Sequence, residues 1–333
     1  MNQLDILPVK SRLRAEMLIQ EHSMKTLSKS ILAVSVLGFS AGTLAADPLT
    51  VYGKANLSFQ YVDAAETATD LKSNSSRFGV KGEVELDNGL TAIYQAEFGV
   101  DFADESKEKN VTARNQFVGL KGGFGQVRLG RMDTALKLAQ GKVDLFNDYN
   151  ADIKNLFEGE NRESDSVTYI SPSFSGFSFG ATYITHDEND SAEGDSAGVS
   201  AAVMYGDAKL KKSKVYAAIA VDNDVDNHDI IRAVYNQKFG AFKLGAVVQR
   251  EESSDGAGEA DTGVMVNGAY SAGALTYKLQ YQTFDDKAAD ERVKTVSVGV
   301  DYKLGSATKV FTWVTAQDEG DKNTLALGIE HKF

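Results

Sequence analysis

Between Met132 and Glu163 the chain sets Asp144, Asp148, Asp152, Glu158 and Glu160 among Leu136, Val143, Phe146, Tyr149, Ile153 and Phe157. Carboxylates held at fixed points on an apolar-backed segment can order water and sort ions by charge. Other chemistry is poorly provided for. There is no cysteine, hence no thiolate nucleophile, disulfide or cysteine–zinc site. His186 stands beside Asp187 and Asp190, and His228 beside Asp226 and Asp229. Acid–histidine pairs of this kind arise easily in acidic segments, and a hydrolytic triad would need all its members at one level of a fold. The runs Asp187–Asp190, Asp222–Asp226, Glu251–Asp255 and Asp285–Asp286 suit hard divalent cations, but none has EF-hand spacing. No motif calls for a cofactor or a resident metal.

The elements that must position the 132–163 stretch are short and alternating. From Val51 to Tyr61, Val51, Ala55, Leu57, Phe59 and Tyr61 fall on one face, and Lys54, Asn56, Ser58 and Gln60 on the other. A period of two means a strand with one apolar and one polar side. The same pattern recurs at 275–282 and 295–302, and with more noise at 75–86, 90–101, 174–186 and 241–250. Glycine and alanine blur it at 112–121, 197–205 and 213–221. Short Gly-rich turns are expected near 87–89, 122–125, 173–176, 206–208, 239–241, 271–273 and 305–307. Longer polar connections are expected at 63–74, 103–111, 132–163, 187–196, 222–229, 251–262, 285–291 and 317–323. The two kinds alternate, which implies about sixteen strands, with 132–163 between the fifth and sixth. Long loops at one end and tight turns at the other are the build of an outer-membrane β-barrel. A soluble two-layer β fold has no reason to sort its connections this way.

The first 45 residues do not fit that scheme. Met24 to Lys29 is a basic n-region, Ile31 to Leu44 an apolar h-region and Thr43-Leu44-Ala45 a cleavage-type sequence, so 24–45 reads as a signal peptide. Residues 1–23 read as an over-called start or an extension, and 46–333 as one barrel domain. The chain carries a net charge of −12, and removing the leader makes it more acidic. An exported acidic chain is a poor match for nucleic acid.

Leu49-Thr-Val-Tyr-Gly-Lys-Ala55, Ser76-Arg-Phe-Gly-Val-Lys-Gly82, Phe117-Val-Gly-Leu-Lys121, Val127-Arg-Leu-Gly-Arg131 and Ser166-Val-Thr-Tyr-Ile-Ser-Pro172, with the final Phe333, resemble the general bacterial porins. The resemblance implies a trimer of sixteen-stranded barrels in the Gram-negative outer membrane, passing ions and small hydrophilic solutes by diffusion. A substrate-specific channel is the near alternative; a barrel enzyme or adhesin is more distant. It also implies that 132–163 folds into the lumen as the constriction loop. Its acids Asp144, Asp148, Asp152 and Glu158 would then face a basic ladder of Lys54, Arg77, Arg114 and, more loosely, Arg162 across a water gap. The terminal strand would carry the assembly signal at Phe333, read by the outer-membrane assembly machinery. The acidic outer loops read either as a solvated surface or as a place where shared divalent cations bridge to lipopolysaccharide phosphates. The chain departs from enterobacterial members in lacking their Pro-Glu-Phe-Gly-Gly loop tip, and His331 stands where an aromatic residue is usual.

Overall fold

The computed structural model describes residues 49–103, 110–185 and 197–333. The expected leader and extension lie outside the described residues, as do His186 and most of the 103–111 and 187–196 connections.

The chain runs through β1 (Thr50–Asp63), β2 (Ala68–Ser73), β3 (Arg77–Glu85), β4 (Thr91–Val100), β5 (Val111–Gly122) and β6 (Gly125–Asp133). After the long loop come β7 (Arg162–Ile170), β8 (Phe177–Ile184), β9 (Gly198–Gly206), β10 (Val215–Val225), β11 (His228–Phe239) and β12 (Phe242–Ser253). The last five are β13 (Asp261–Ala272), β14 (Leu275–Asp286), β15 (Glu291–Lys303), β16 (Thr308–Gln317) and β17 (Lys322–Lys332). Neighbours pair antiparallel, and β1 pairs with β17, from Lys54↔Lys332 to Asp63↔Asn323, which closes the sheet. Closure is what lipid demands, since an open edge would leave backbone N–H and C=O groups unpaired in hydrocarbon. Strands β2 and β3 both pair with β1 and share one position, so the barrel has sixteen staves. They part at Asn74–Ser76, where Ser75 is left-handed (φ 52°). Asn56 of β1 meets this bulge, accepting from the Asn74 amide (2.7 Å) and donating its own amide to Ser76 Oγ (2.9 Å).

The two faces follow the alternation. Lys54, Asn56, Ser58 and Gln60 are buried inside, while Val51, Phe59 and Tyr61 lie exposed on the outside. The last strand is the sharpest case: Leu327 is 67% exposed and its neighbour Ala326 fully buried. An exposed apolar belt of this extent is a lipid-facing surface. The blurred segments at 112–121, 197–205 and 213–221 are strands as well.

Five connections differ from expectation, two of them because the expected long connections at 285–291 and 317–323 are the four-residue links 287–290 and 318–321. The 63–74 loop contains β2, a hairpin extension of β1. The 222–229 loop is a tight hairpin, because Val225 pairs with His228 around left-handed Asp226 and Asn227. The 206–208 turn is instead the longer 207–214 connection, at the end of the barrel where the other turns are tight. Composition misled in both of these last two cases: a run of acids does not make a loop long, and a glycine at 206 does not make the turn after it tight.

The 132–163 stretch does leave the wall. Thr134 caps α1 (Ala135–Gln140), its Oγ accepting from the Lys137 amide (3.3 Å), and the helix ends at Gly141 (φ 64°). Beyond it the loop crosses the lumen, with one short 3₁₀ turn at Ile153–Asn155. Its apolar side chains are buried against the inner wall. Leu136, Ala139, Val143, Ile153 and Phe157 pack on Ala218, Ala220, Ile230, Val234, Val247 and Met265. Phe146, Tyr149 and Ala151 pack on Phe311, Trp313 and Ala326. Each fully buried large side chain contributes about 1.5–3 kcal/mol, which offsets part of the entropy lost when the loop is fixed against the wall.

Candidate functional site: the constriction

The wall supplies the cations. Lys54 and Arg77 are directly paired across β1 and β3, so both point inward at one level. Arg77 Nε also donates to the carbonyl of left-handed Ser75 (3.1 Å), which aims its guanidinium across the lumen. Arg114 of β5 reaches Glu97 of β4 (2.7 Å), and Arg162 at the start of β7 reaches Asp133 (2.7 Å) and Asn115 (2.8 Å). Glu97 lies 3.9 Å from Arg77, linking the ladder sideways.

From the loop, only Asp148 of the expected acids meets this ladder. It touches Lys54 at 2.6 Å and Arg77 at 2.9 Å. The expected water gap is therefore absent at this pair: the lumen is narrow enough here for loop and wall to bond directly. Burial alone would raise the Asp148 carboxyl, but Lys54 and Arg77 outweigh it and hold it at about 2. The residue sits in the left-handed region (φ 74°), fixed there by its amide donating to Asp152 (2.7 Å).

The other three expected acids lie elsewhere. Asp144 is turned to the wall, accepting from the amides of Phe146 (2.8 Å) and Ile153 (2.9 Å) and from Gln280 Nε2 (2.9 Å). Asp152 is buried and caps the 3₁₀ turn, accepting from the Lys154 amide (3.1 Å). Burial pushes both carboxyls up. Glu158 is exposed near Glu251, and its carbonyl accepts from Arg232 (2.7 Å) and Gln249 (3.0 Å). A loop that leaves the sheet must find partners for its own carbonyls. The wall provides them: Gln280 and Gln282 serve Ala151, Asn267 serves Val143, and Lys278 serves Leu145.

Beside the Asp148 contact lies an open cavity of about 490 Å³. Arg77, Arg114 and Arg162 line it from the wall; Lys137, Lys142 and Lys154 from the loop; Lys209 from the 207–214 connection. Its carboxylates are Asp133, Asp148, Asp152 and Glu160. Each is committed. Asp133 bonds Arg162, Asp148 bonds Lys54 and Arg77, Asp152 holds the loop, and Glu160 bonds the fully buried Arg232 (2.5 Å).

The sequence matches the Gram-negative porin family over residues 33–322. The chain belongs to that family. It is 27% identical to outer membrane porin protein 32 of Delftia acidovorans, over 90% of this chain and 92% of that one. It is likewise 27% identical to major outer membrane protein P.IB of Neisseria meningitidis, over 92% of this chain and all of the other. Among solved structures it resembles the anion-selective porin from Comamonas acidovorans, with a TM-score of 0.73 and 21% identity over 86% of this chain and 99% of that one. This porin is thus an integral outer-membrane barrel forming a channel for passive diffusion of small hydrophilic solutes.

Several residues of the porin's constriction were not singled out in the sequence. Glu97 could have been found by parity, since it shares the inner face of β4 with Gln95. Lys137, Lys142 and Lys154 stand in the loop itself, among acids that drew attention away from them. Lys209 carried no local signal, because only the folded 207–214 connection brings it to the loop, and Arg232 stands on the inner face of β11 between apolar Ile230 and Val234, where polar parity does not mark it. Phe333 closes the last strand onto the first. It exchanges backbone hydrogen bonds with Gly53 (2.9 and 3.1 Å), and its ring fills the space a Gly53 side chain would need.

Proposed function

We propose that this porin is a general diffusion channel that prefers small anions. The observation that carries the reading is the lining of the constriction cavity, where seven cationic side chains stand against four committed carboxylates. Among the described residues Lys142 and Lys209 have no carboxylate partner, and Lys154, half exposed, lies 3.8 Å from the buried Asp152; these three are the cations best placed to meet a solute. Fixed charge between low-dielectric walls raises the local concentration of counter-ions and lowers that of co-ions. The chain's net charge of −12 has the opposite sign, but the acids of the runs Asp222–Asp226, Glu251–Asp255 and Asp285–Asp286 are not among the residues that line this cavity. The Comamonas relative described as anion-selective points the same way.

Within this reading Lys54, Arg77, Arg114 and Arg162 form the basic wall, and Asp148 is the acid that narrows the opening. Asp144 and Asp152 shape the loop, and Glu158 stands clear of the cavity. The working form is a homotrimer, assembled through recognition of the strand ending at Phe333. Its acidic outer connections meet lipopolysaccharide through divalent cations. Reversal potentials across planar bilayers under a potassium chloride gradient test the selectivity. The expected sign is that of chloride permeating faster than potassium; a potassium preference in the wild-type channel sinks the proposal.

A further inference from the structure

Below the constriction the 207–214 connection does not hang free. Asp207 accepts from the amides of Lys209 (3.0 Å), Lys211 (2.9 Å) and Lys212 (2.9 Å), which curls the segment back toward the barrel. Leu210, left-handed at φ 52°, is buried in the apolar cluster under the constriction loop. A non-glycine residue in that conformation needs compensation, and the burial of its side chain supplies it. The folded-back segment forms one side of a second, open cavity of about 760 Å³. It shares Leu138, Ala208 and Lys209 with the constriction cavity, so the two cavities adjoin.

The second cavity has a different chemistry. Its floor includes Leu138, Met204 and Tyr216, and its rim carries the exposed Lys209, Lys211 and Lys212. Among the described residues the only carboxylate in its lining is Asp207, which is occupied by three backbone amides. An apolar floor under a cationic rim complements a solute with a charged head and an apolar body, not a bare inorganic ion. We infer that this lower cavity is a holding site for amphipathic organic anions, chemically monocarboxylates on an aromatic or alicyclic body, which bind there in passage. The inference rests on the channel reading and adds a class of solute to it.

Benzoate and acetate carry the same charge and differ in the apolar body, so together they isolate the floor. The measurement is block of single-channel chloride current in planar bilayers, with each anion added to both sides. Benzoate is expected to block at a concentration about tenfold lower than acetate. Met204→Gln, of similar volume, should erase that difference and leave acetate unchanged. Lys211→Gln with Lys212→Gln should raise the benzoate requirement about tenfold. Equal block by the two anions in the wild type overturns the inference and leaves the channel standing, as does benzoate block indifferent to both variants. No chloride conductance at all would instead remove the channel reading, and the inference with it.

Discussion

At the scale of single residues, the constriction divides its carboxylates between two tasks that the sequence cannot separate. Asp148 faces Lys54 and Arg77, whereas Asp144 faces backbone amides and Gln280. Their variants should therefore differ in kind. Asp148→Asn removes a charge from the opening and shifts the reversal potential further toward anions; Arg77→Ala or Arg114→Ala shifts it toward cations. Asp144→Ala leaves buried amide donors without partners, at a cost of about 1–3 kcal/mol. It should loosen the loop and lower thermal stability, with little direct effect on selectivity. The pH dependence has a definite sign. The folded-state carboxyl of Asp148 lies at about 2, below its ordinary 3.8. Its pairing is thus fully present above the ordinary value and is lost as pH falls through about 2. Selectivity contributed by this pair should stay flat from neutral pH down to about 4, the ordinary carboxyl range. A drift centred near neutrality that vanishes in Asp148→Asn would contradict the assignment.

At the scale of elements, the loop is held by matched shapes. Gly245, Gly263 and Gly299 lie on the inner faces of β12, β13 and β15, and the loop's Val143, Phe157 and Phe146 respectively occupy the space their side chains would need. A Cβ at Gly263 would lie 2.6 Å from the Phe157 ring. Gly263→Val is expected to lift that end of the loop at an overpacking cost of about 1–3 kcal/mol. The Arg232–Glu160 pair next to it would still tether the chain. Open-channel current noise should rise, and trypsin should cut after Lys154 sooner than in the wild type; unchanged noise and cleavage would mean that the glycines do not fix the loop. Much of this level was legible beforehand. Strand faces, the order of connections and the inward loop all follow from periodicity and from apolar residues that need a wall. The anchoring was not, because a lumenal Gln or Asn reads as water-facing whether it meets solvent or a loop carbonyl. Gln280, Gln282 and Asn267 are polar in order to hold the loop, not to wet the pore. Connection lengths misled as well: Asp226 and Asn227 make a two-residue turn out of an acidic run, and the segment after Gly206 is an eight-residue connection whose Leu210 is buried inward.

At the scale of the whole molecule, the outer face sets the company the barrel keeps. Ile219, Leu279, Val298 and Leu327 stand exposed around it, and such a belt is covered by lipid or by a second copy. As a trimer the protein should migrate as a compact oligomer on detergent gels when unheated and collapse to a monomer on boiling; a monomer in every mild detergent would argue against the assembly. The charge pattern of the whole makes the last test. Two fields of opposite sign act on a permeating ion: the acids of the outer connections and the cations of the constriction. Their reach is set by screening, about 10 Å at 0.1 M salt and 3 Å at 1 M. Cations that line the narrowest point act on any ion squeezed past them, so they should dominate at 0.1 M and give an anion preference there. At 1 M even these charges are screened over most of the opening, and the permeability ratio should fall toward its free-solution value. Lys142→Gln with Lys154→Gln should bring the 0.1 M ratio most of the way to the 1 M ratio. If the ratio is the same at both salt concentrations and in the double variant, fixed charge in the constriction does not set selectivity, and the width of the opening must.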